Sequence, residues 1–229
     1  MRSIRSLTGV KAHQWQGVCG AESMVGFRWR ALYKPPVPKR SGDLQWRVLH
    51  GALATNSWLA RVDPGIGQGC PFCQMKETVI HVFSVCTRLM PLMSLLECLC
   101  DRLGVVFAVG MFIMGYRYSS KEKEKCVLLN FLFAQAKLAI WLTRRNRVKG
   151  GGITDPLLLF HGMVSARLRV EFEFYKMIKC VEMFEEIWCV GGGCLYCWGR
   201  CFGYTVVGEG FCVKVKVSLS LSLSLAKLS

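Results

Sequence analysis

Aspartate is scarce in these 229 residues: Asp43, Asp63, Asp101 and Asp155 are the four. No two are adjacent and none lies in a hairpin pattern. The paired carboxylates of a two-metal phosphoryl-transfer site therefore cannot be assembled from them. Acidic residues as a whole number 15 against 30 Lys and Arg, which leaves a net charge of +15. The opening Met1-Arg2-Ser3-Ile4-Arg5 lacks the apolar core of a signal peptide, so secretion is not expected. Long uninterrupted apolar runs are missing too. GVVFAVGMFIMGY (104–116) is too short to span a bilayer. CVLLNFLFAQAKLAIWL (126–142) is broken by Asn130, Gln135 and Lys137 and reads as a buried helix, so no membrane partner is expected.

Cysteine, by contrast, is abundant, with 13 in the chain. Four chemically apt residues stand in GCPFCQMKETVIHVFSVC: Cys70, Cys73, His81 and Cys86, spaced C-x2-C-x7-H-x4-C. Two thiols two residues apart form a turn whose sulfurs converge. A His and a Cys further on complete four soft or borderline ligands, a set that suits one tetrahedral Zn²⁺. Four protein ligands leave no open position, so this zinc would be structural. Two other readings stand beside it. Cys70-Pro71-Phe72-Cys73 is also a tetrapeptide of glutaredoxin-like thiol oxidoreductases, whose chemistry requires a helix N-terminus directly after the motif. The cysteines could also be buried and unliganded.

The flanking residues carry a family resemblance. Trp46, Arg47, Leu49, His50, Gly51 and Ala52 precede Cys70, Pro71 and Cys73, and Glu77, Thr78, His81, Phe83 and Cys86 follow. That string resembles the zinc-binding domain at the C-terminal end of reverse transcriptases from non-LTR (LINE-class) retrotransposons. More loosely the likeness extends over about 28–190. It implies a small, mostly helical module that follows the polymerase in a longer polyprotein and holds template RNA or target DNA without polymerase activity. The polymerase aspartates and the endonuclease carboxylate–histidine constellation are not found in this stretch, which points to a non-catalytic, detached C-terminal fragment. Nuclear or cytoplasmic residence follows from the resemblance alone. A degenerate remnant with no selected function is the rival reading.

Charge is unevenly placed. Residues 1–150 hold 22 Lys and Arg against 8 Asp and Glu, a net +14, whereas 151–229 hold 8 against 7. A basic surface beside a zinc staple suggests RNA or DNA, contacted through phosphates and with little sequence preference. The candidate contacts are Arg28, Arg30, Lys34, Lys39 and Arg40 around KPPVPKR, then Arg47, and then Arg144, Arg145, Arg147 and Lys149 at the end of the long apolar helix. Cations in a last helical turn also suit the macrodipole, so part of the second cluster has a purely structural explanation.

The chain divides into residues 1–27, expected to be disordered; 28–120, the zinc-binding-like domain; 121–190, a helical extension; and 191–229, a Cys/Gly-rich and Ser-Leu tail. Residues 44–62 read as helix-rich, with Trp46, Leu49, Leu53, Trp58 and Leu59 near helical spacing. Residues 76–86 should start a short helix presenting His81. Cys86 lies off that helix's face, so the helix should unwind there. MPLMSLLECLCDRL (90–103) predicts an amphipathic helix with Pro91 in its first turn and Cys98 and Cys100 in the core. Lys149-Gly150-Gly151-Gly152 is a break, and Asp155-Pro156 predicts an N-cap followed by Pro at the first helical position. RLRVEFEF alternates like a strand, yet the unbroken length of 156–188 favours helix. Cys194, Cys197, Cys201 and Cys212 have spacing unlike common zinc modules. The four Ser-Leu pairs from 218 to 225 resemble translated simple-sequence DNA. These readings predict a mostly α fold: a small helical domain with a zinc-stapled loop–helix (CCHC) knuckle and disordered termini.

Overall fold

The computed structural model describes residue 33 and residues 36–116 and 120–189. Residues 1–27, the cations Arg28, Arg30 and Lys34, the cysteines at 194–212 and the Ser-Leu tail lie outside the described residues. The fold is mostly helical, with α1 (Lys39–Leu49), α2 (Asn56–Leu59), α3 (Met90–Arg102), α4 (Val109–Met114), α5 (Lys123–Val148), α6 (Pro156–Met177) and α7 (Val181–Trp188). Between α2 and α3 the chain makes a π turn (His81–Val85) and a 3-10 turn (Thr87–Leu89). Among the described residues the β structure is one isolated antiparallel bridge, Gly69 to Lys76.

The core is organised around α5. Leu129, Phe131, Leu132, Phe133, Ala136 and Ala139 are all buried, so apolar side chains point inward around most of the helix rather than along one stripe. A helix apolar all round belongs at the centre of a fold or in a membrane. By length and composition α5 could cross a membrane, but 78% of its apolar window is buried inside this fold. One continuous core cluster runs from Leu44 to Trp188.

The three polar residues that interrupt the α5 run each satisfy another backbone or hydroxyl group. Asn130 Nδ2 donates to the Tyr116 carbonyl (3.0 Å), and its Oδ1 accepts from the Tyr116 N–H (2.8 Å). Gln135 Nε2 reaches Ser41 Oγ on α1 (3.4 Å). Lys137, 2% exposed, sends its ammonium to the carbonyls of Phe112 and Ile113 in the last turn of α4. Gln45 Nε2 donates to the same Ile113 carbonyl (2.6 Å). The orphan carbonyls of that short helix are thus capped by side chains from α1 and α5, and a cation there also suits the helix dipole.

These bonds fix direction. Ser41 meets Gln135, Gln45 shares Ile113 with Lys137, and Asn56 accepts from Arg144. Both helices advance together, so α1 and the C-terminal half of α5 run side by side in the same sense. The last turn of α1, α2 and the last turn of α5 share one end of the molecule.

Several expectations hold in detail. Asp155 caps α6 by accepting from the Leu157 N–H (2.8 Å), with Pro156 following it. The alternating RLRVEFEF is helical, and Arg167 pairs with Glu171 one turn on. Two expectations do not hold. The helix over 156–188 is broken after Met177, where Lys179 adopts a left-handed φ of 55°. The reversal lets α7 fold back, setting Phe184 against Phe172 (5.3 Å between ring centroids) and Trp188 against Phe131 (5.0 Å). Burial of two large aromatics outweighs the cost of a left-handed lysine, which is of order 1–2 kcal/mol. The second concerns Cys98, which is exposed while Cys100 is fully buried. Two residues apart on a helix differ by about 200°, so both cannot face one core. Burial, with Asp101 and Glu97 nearby, pushes the Cys100 thiol up to about 12, which marks it as a packing group. Cys98→Ser should leave the urea midpoint within about 0.5 kcal/mol of the parent, whereas Cys100→Ser should cost about 1–3 kcal/mol. Equal midpoints for the two variants would contradict this placement.

Candidate metal centre

The centre is built by two short, tight pieces of backbone. In the first, the chain turns back on itself between Gly69 and Lys76. The Cys70 N–H donates to Met75 O (2.7 Å), the Gln74 N–H to Cys70 O (3.1 Å), and the Glu77 N–H to Gln68 O (2.8 Å). Gln74 takes a left-handed φ of 62° to close the turn. The turn brings the Cys70 and Cys73 sulfurs into one cluster.

The second piece is the π turn. The His81 N–H donates to Thr78 Oγ1 (3.0 Å), which starts the turn. The Cys86 N–H bonds to His81 O (3.0 Å), five residues back, and Cys86 then leaves in an extended conformation (φ −62°, ψ 124°). In an α-helix five residues are about 500° of rotation, which would turn Cys86 away from His81. The wider π turn brings the two to one side, and such single π turns often mark functional sites. The expected unwinding at Cys86 is therefore this specific turn.

The two pieces meet at four donor atoms, all within 4.8 Å of one another. Cys70 Sγ to Cys86 Sγ is 4.0 Å, Cys73 Sγ to Cys86 Sγ is 3.9 Å, and Cys73 Sγ to His81 Nε2 is 3.2 Å. Around a tetrahedral zinc with bonds of about 2.3 Å, sulfur–sulfur edges are about 3.8 Å. The observed sulfur–sulfur separations fit that edge and far exceed a disulfide bond of about 2.05 Å. Cys70, Cys86 and His81 are buried and Cys73 is half-buried. Burial holds His81 below the ordinary histidine value against the pull of the Glu77 charge, which favours the neutral imidazole a metal needs. The four residues fit one structural zinc.

The redox alternative does not fit. Gln74 turns the chain back toward Lys76 directly after Cys73, so no helix begins directly after the motif. Burial raises the Cys70 thiol, the opposite of an activated nucleophile.

Behind the centre lies a polar pairing that the local sequence does not announce. Glu77 is 0% exposed, and its two carboxylate oxygens accept from Arg144 Nε (3.0 Å) and Nη2 (2.7 Å). The same carboxylate accepts from the Asn56 N–H (2.6 Å), and the Glu77 carbonyl accepts from Ser57 Oγ (2.6 Å). Asn56 Nδ2 donates to Gly69 O (2.7 Å) beside the first ligand, while its Oδ1 accepts from Arg144 (2.9 Å). A forked guanidinium–carboxylate pair thus ties the metal turn to α2 and to the end of α5. On the far side, the Arg88 guanidinium lies 3.6 Å above the Phe72 ring and donates to the Thr154 carbonyl.

The structure sorts the cations. Arg144, expected at a phosphate surface, is 6% exposed and engaged by Glu77, so it is not a surface cation. Lys39, Arg40, Arg47, Arg145, Arg147 and Lys149 are exposed, and none forms an ion pair among the described residues.

Residues 11–90 match the family described as zinc-binding in reverse transcriptase. Over that span the chain carries a zinc-binding domain of the kind found in reverse transcriptases. The matched span contains all four ligands of the centre, and the domain's first half reaches back to residue 11, inside the stretch 1–27. The chain is also 38% identical over 165 residues to the "Transposon TX1 uncharacterized 149 kDa protein" of Xenopus laevis. That alignment covers 72% of this chain and 12% of the relative, so the domain corresponds to a small part of a much longer protein. No solved structure gives a significant match.

Proposed function

We propose that this domain is a non-catalytic nucleic-acid-holding module whose zinc keeps a basic surface in shape. Four protein ligands leave the metal no open position for water or substrate, which supports a structural rather than catalytic role. The observation that carries the binding reading is the first turn of α1. Lys39 and Arg40 occupy it, with no acidic residue there. Cations at a helix N-terminus oppose the macrodipole and weaken the helix by a few tenths of a kcal/mol each. Arg145 and Arg147 in the last turn of α5 have a dipole explanation, whereas Lys39 and Arg40 have none within the helix. An external polyanion supplies one, and nucleic-acid phosphate is the polyanion the retrotransposon kinship favours.

Phosphate contacts make affinity fall steeply with salt. Contacts from the six exposed cations named above would lower affinity on the order of 1000-fold between 50 and 200 mM salt. Fluorescence anisotropy with a mixed-sequence oligonucleotide over that range checks this. Affinity that stays flat with salt, or no binding at low salt, removes the reading.

A further inference from the structure

The exposed side of α1 carries more than charge. Trp46 is 44% exposed, although indoles are ordinarily among the more buried side chains. Its ring lies against that of His50, one turn on, with centroids 4.2 Å apart and planes tilted by 36°. Holding the indole in one orientation on a rigid helix removes rotamer entropy that a ligand would otherwise have to freeze. Arg47 is exposed beside it, and Lys39 and Arg40 are exposed two turns back, about 10 Å along the axis. The single acid of this helix, Asp43, is engaged by the Tyr33 hydroxyl (3.1 Å). The helix therefore presents a fixed aromatic face with one cation beside it and two more two turns back.

Duplex phosphates require only the cations, because the bases of a duplex are already stacked on one another. A presented indole becomes useful when bases are unstacked and their π faces are open. We propose that the exposed stripe of α1 is a single-strand-binding face, with the Trp46 indole stacking on a nucleobase and Lys39, Arg40 and Arg47 holding the flanking phosphates. This rests on the nucleic-acid reading above and refines it from polyanion to single strand. RNA and single-stranded DNA share the required chemistry.

The test uses the full chain, zinc-loaded, with a 20-nucleotide single strand as RNA, the same strand as DNA, and the corresponding DNA duplex, all at one fixed ionic strength. The parent, Trp46→Leu and Trp46→Phe are compared, with zinc content and helical circular dichroism measured for each. Stacking on an aromatic side chain is worth roughly five- to a hundredfold per base. Trp46→Leu should lose single-strand affinity by a factor in that range, while duplex affinity changes less than about twofold. Trp46→Phe keeps a ring and should recover most of the loss. Leu is apolar and of similar reach, so a merely structural role would be served by either replacement. Equal losses on single strand and duplex, or full single-strand affinity in folded, zinc-loaded Trp46→Leu, overturn the proposal while leaving the phosphate reading intact. A parent that binds none of the three probes sinks both. Unequal losses on RNA and DNA would identify which strand the face serves.

Discussion

Replacing Cys73 with Ser should unfold the region around residues 50–90 and leave the chain without zinc. The reason is the size of the metal's contribution. Structural zinc in small modules supplies apparent binding free energy of about 10–16 kcal/mol, which equals or exceeds the whole stability of an ordinary domain, about 5–15 kcal/mol. Within the segment itself local bonding is sparse, and the Glu77–Arg144 pair is its main polar tie to the rest of the fold. Its bonds between Gly69 and Lys76 close one tight turn, and residues 61–65 are exposed. Phe83, Leu89 and Leu92 join the core, but their approach depends on the π turn that the metal braces. The expected readout is one zinc per parent chain and none for Cys73→Ser, with helical circular dichroism falling on variant formation and on chelation of the parent. A variant that melts with the parent would show that the centre does not support the fold.

The second large effect belongs to the ion pair behind the centre. Removing one partner of a buried pair strands the other charge, which costs about 3–5 kcal/mol. Arg144→Ala leaves the Glu77 carboxylate with only the Asn56 amide. Glu77→Ala leaves the guanidinium facing the Asn56 side-chain oxygen. Each single variant should therefore lose about 3–5 kcal/mol in urea unfolding, and zinc should pass to a competing chelator faster than in the parent. The double variant Glu77→Leu, Arg144→Met removes both charges and fills the space, so it should be more stable than either single one. A double variant no more stable than either single one would mean that the two charges do not act on each other.

What the sequence discloses and what it hides follow from distance along the chain. The metal ligands are legible because Cys70, Cys73, His81 and Cys86 lie within one short stretch whose spacing already encodes the geometry. The cap at Asp155 and the start of α3 at Pro91 are legible for the same local reason. Glu77 stands in that stretch as part of a family pattern, but its partner is 67 residues away, and no periodicity connects them. Arg144 looked like a surface cation because a helix-terminal basic run is ordinarily solvated. The turn at Lys179 is hidden differently, since left-handed backbone is normally announced by Gly or Asn, and here aromatic packing enforces it on a lysine. The polar residues within α5 were visible as interruptions, yet their partners on α1 and α4 emerge only when those helices are assembled.

The separation between the metal turn and its ion-pair partner also orders events in time. The ligand set is complete once the chain has been synthesised to Cys86, and closing so short a loop is entropically mild. Arg144 comes much later, and joining it to Glu77 closes a loop of 67 residues, a slow step of the kind that raises contact order. A nascent chain can thus load its zinc first and offer a preformed turn to α5 when that helix appears. The metal would act as an early nucleus, and the buried guanidinium as the late contact that commits the assembled bundle.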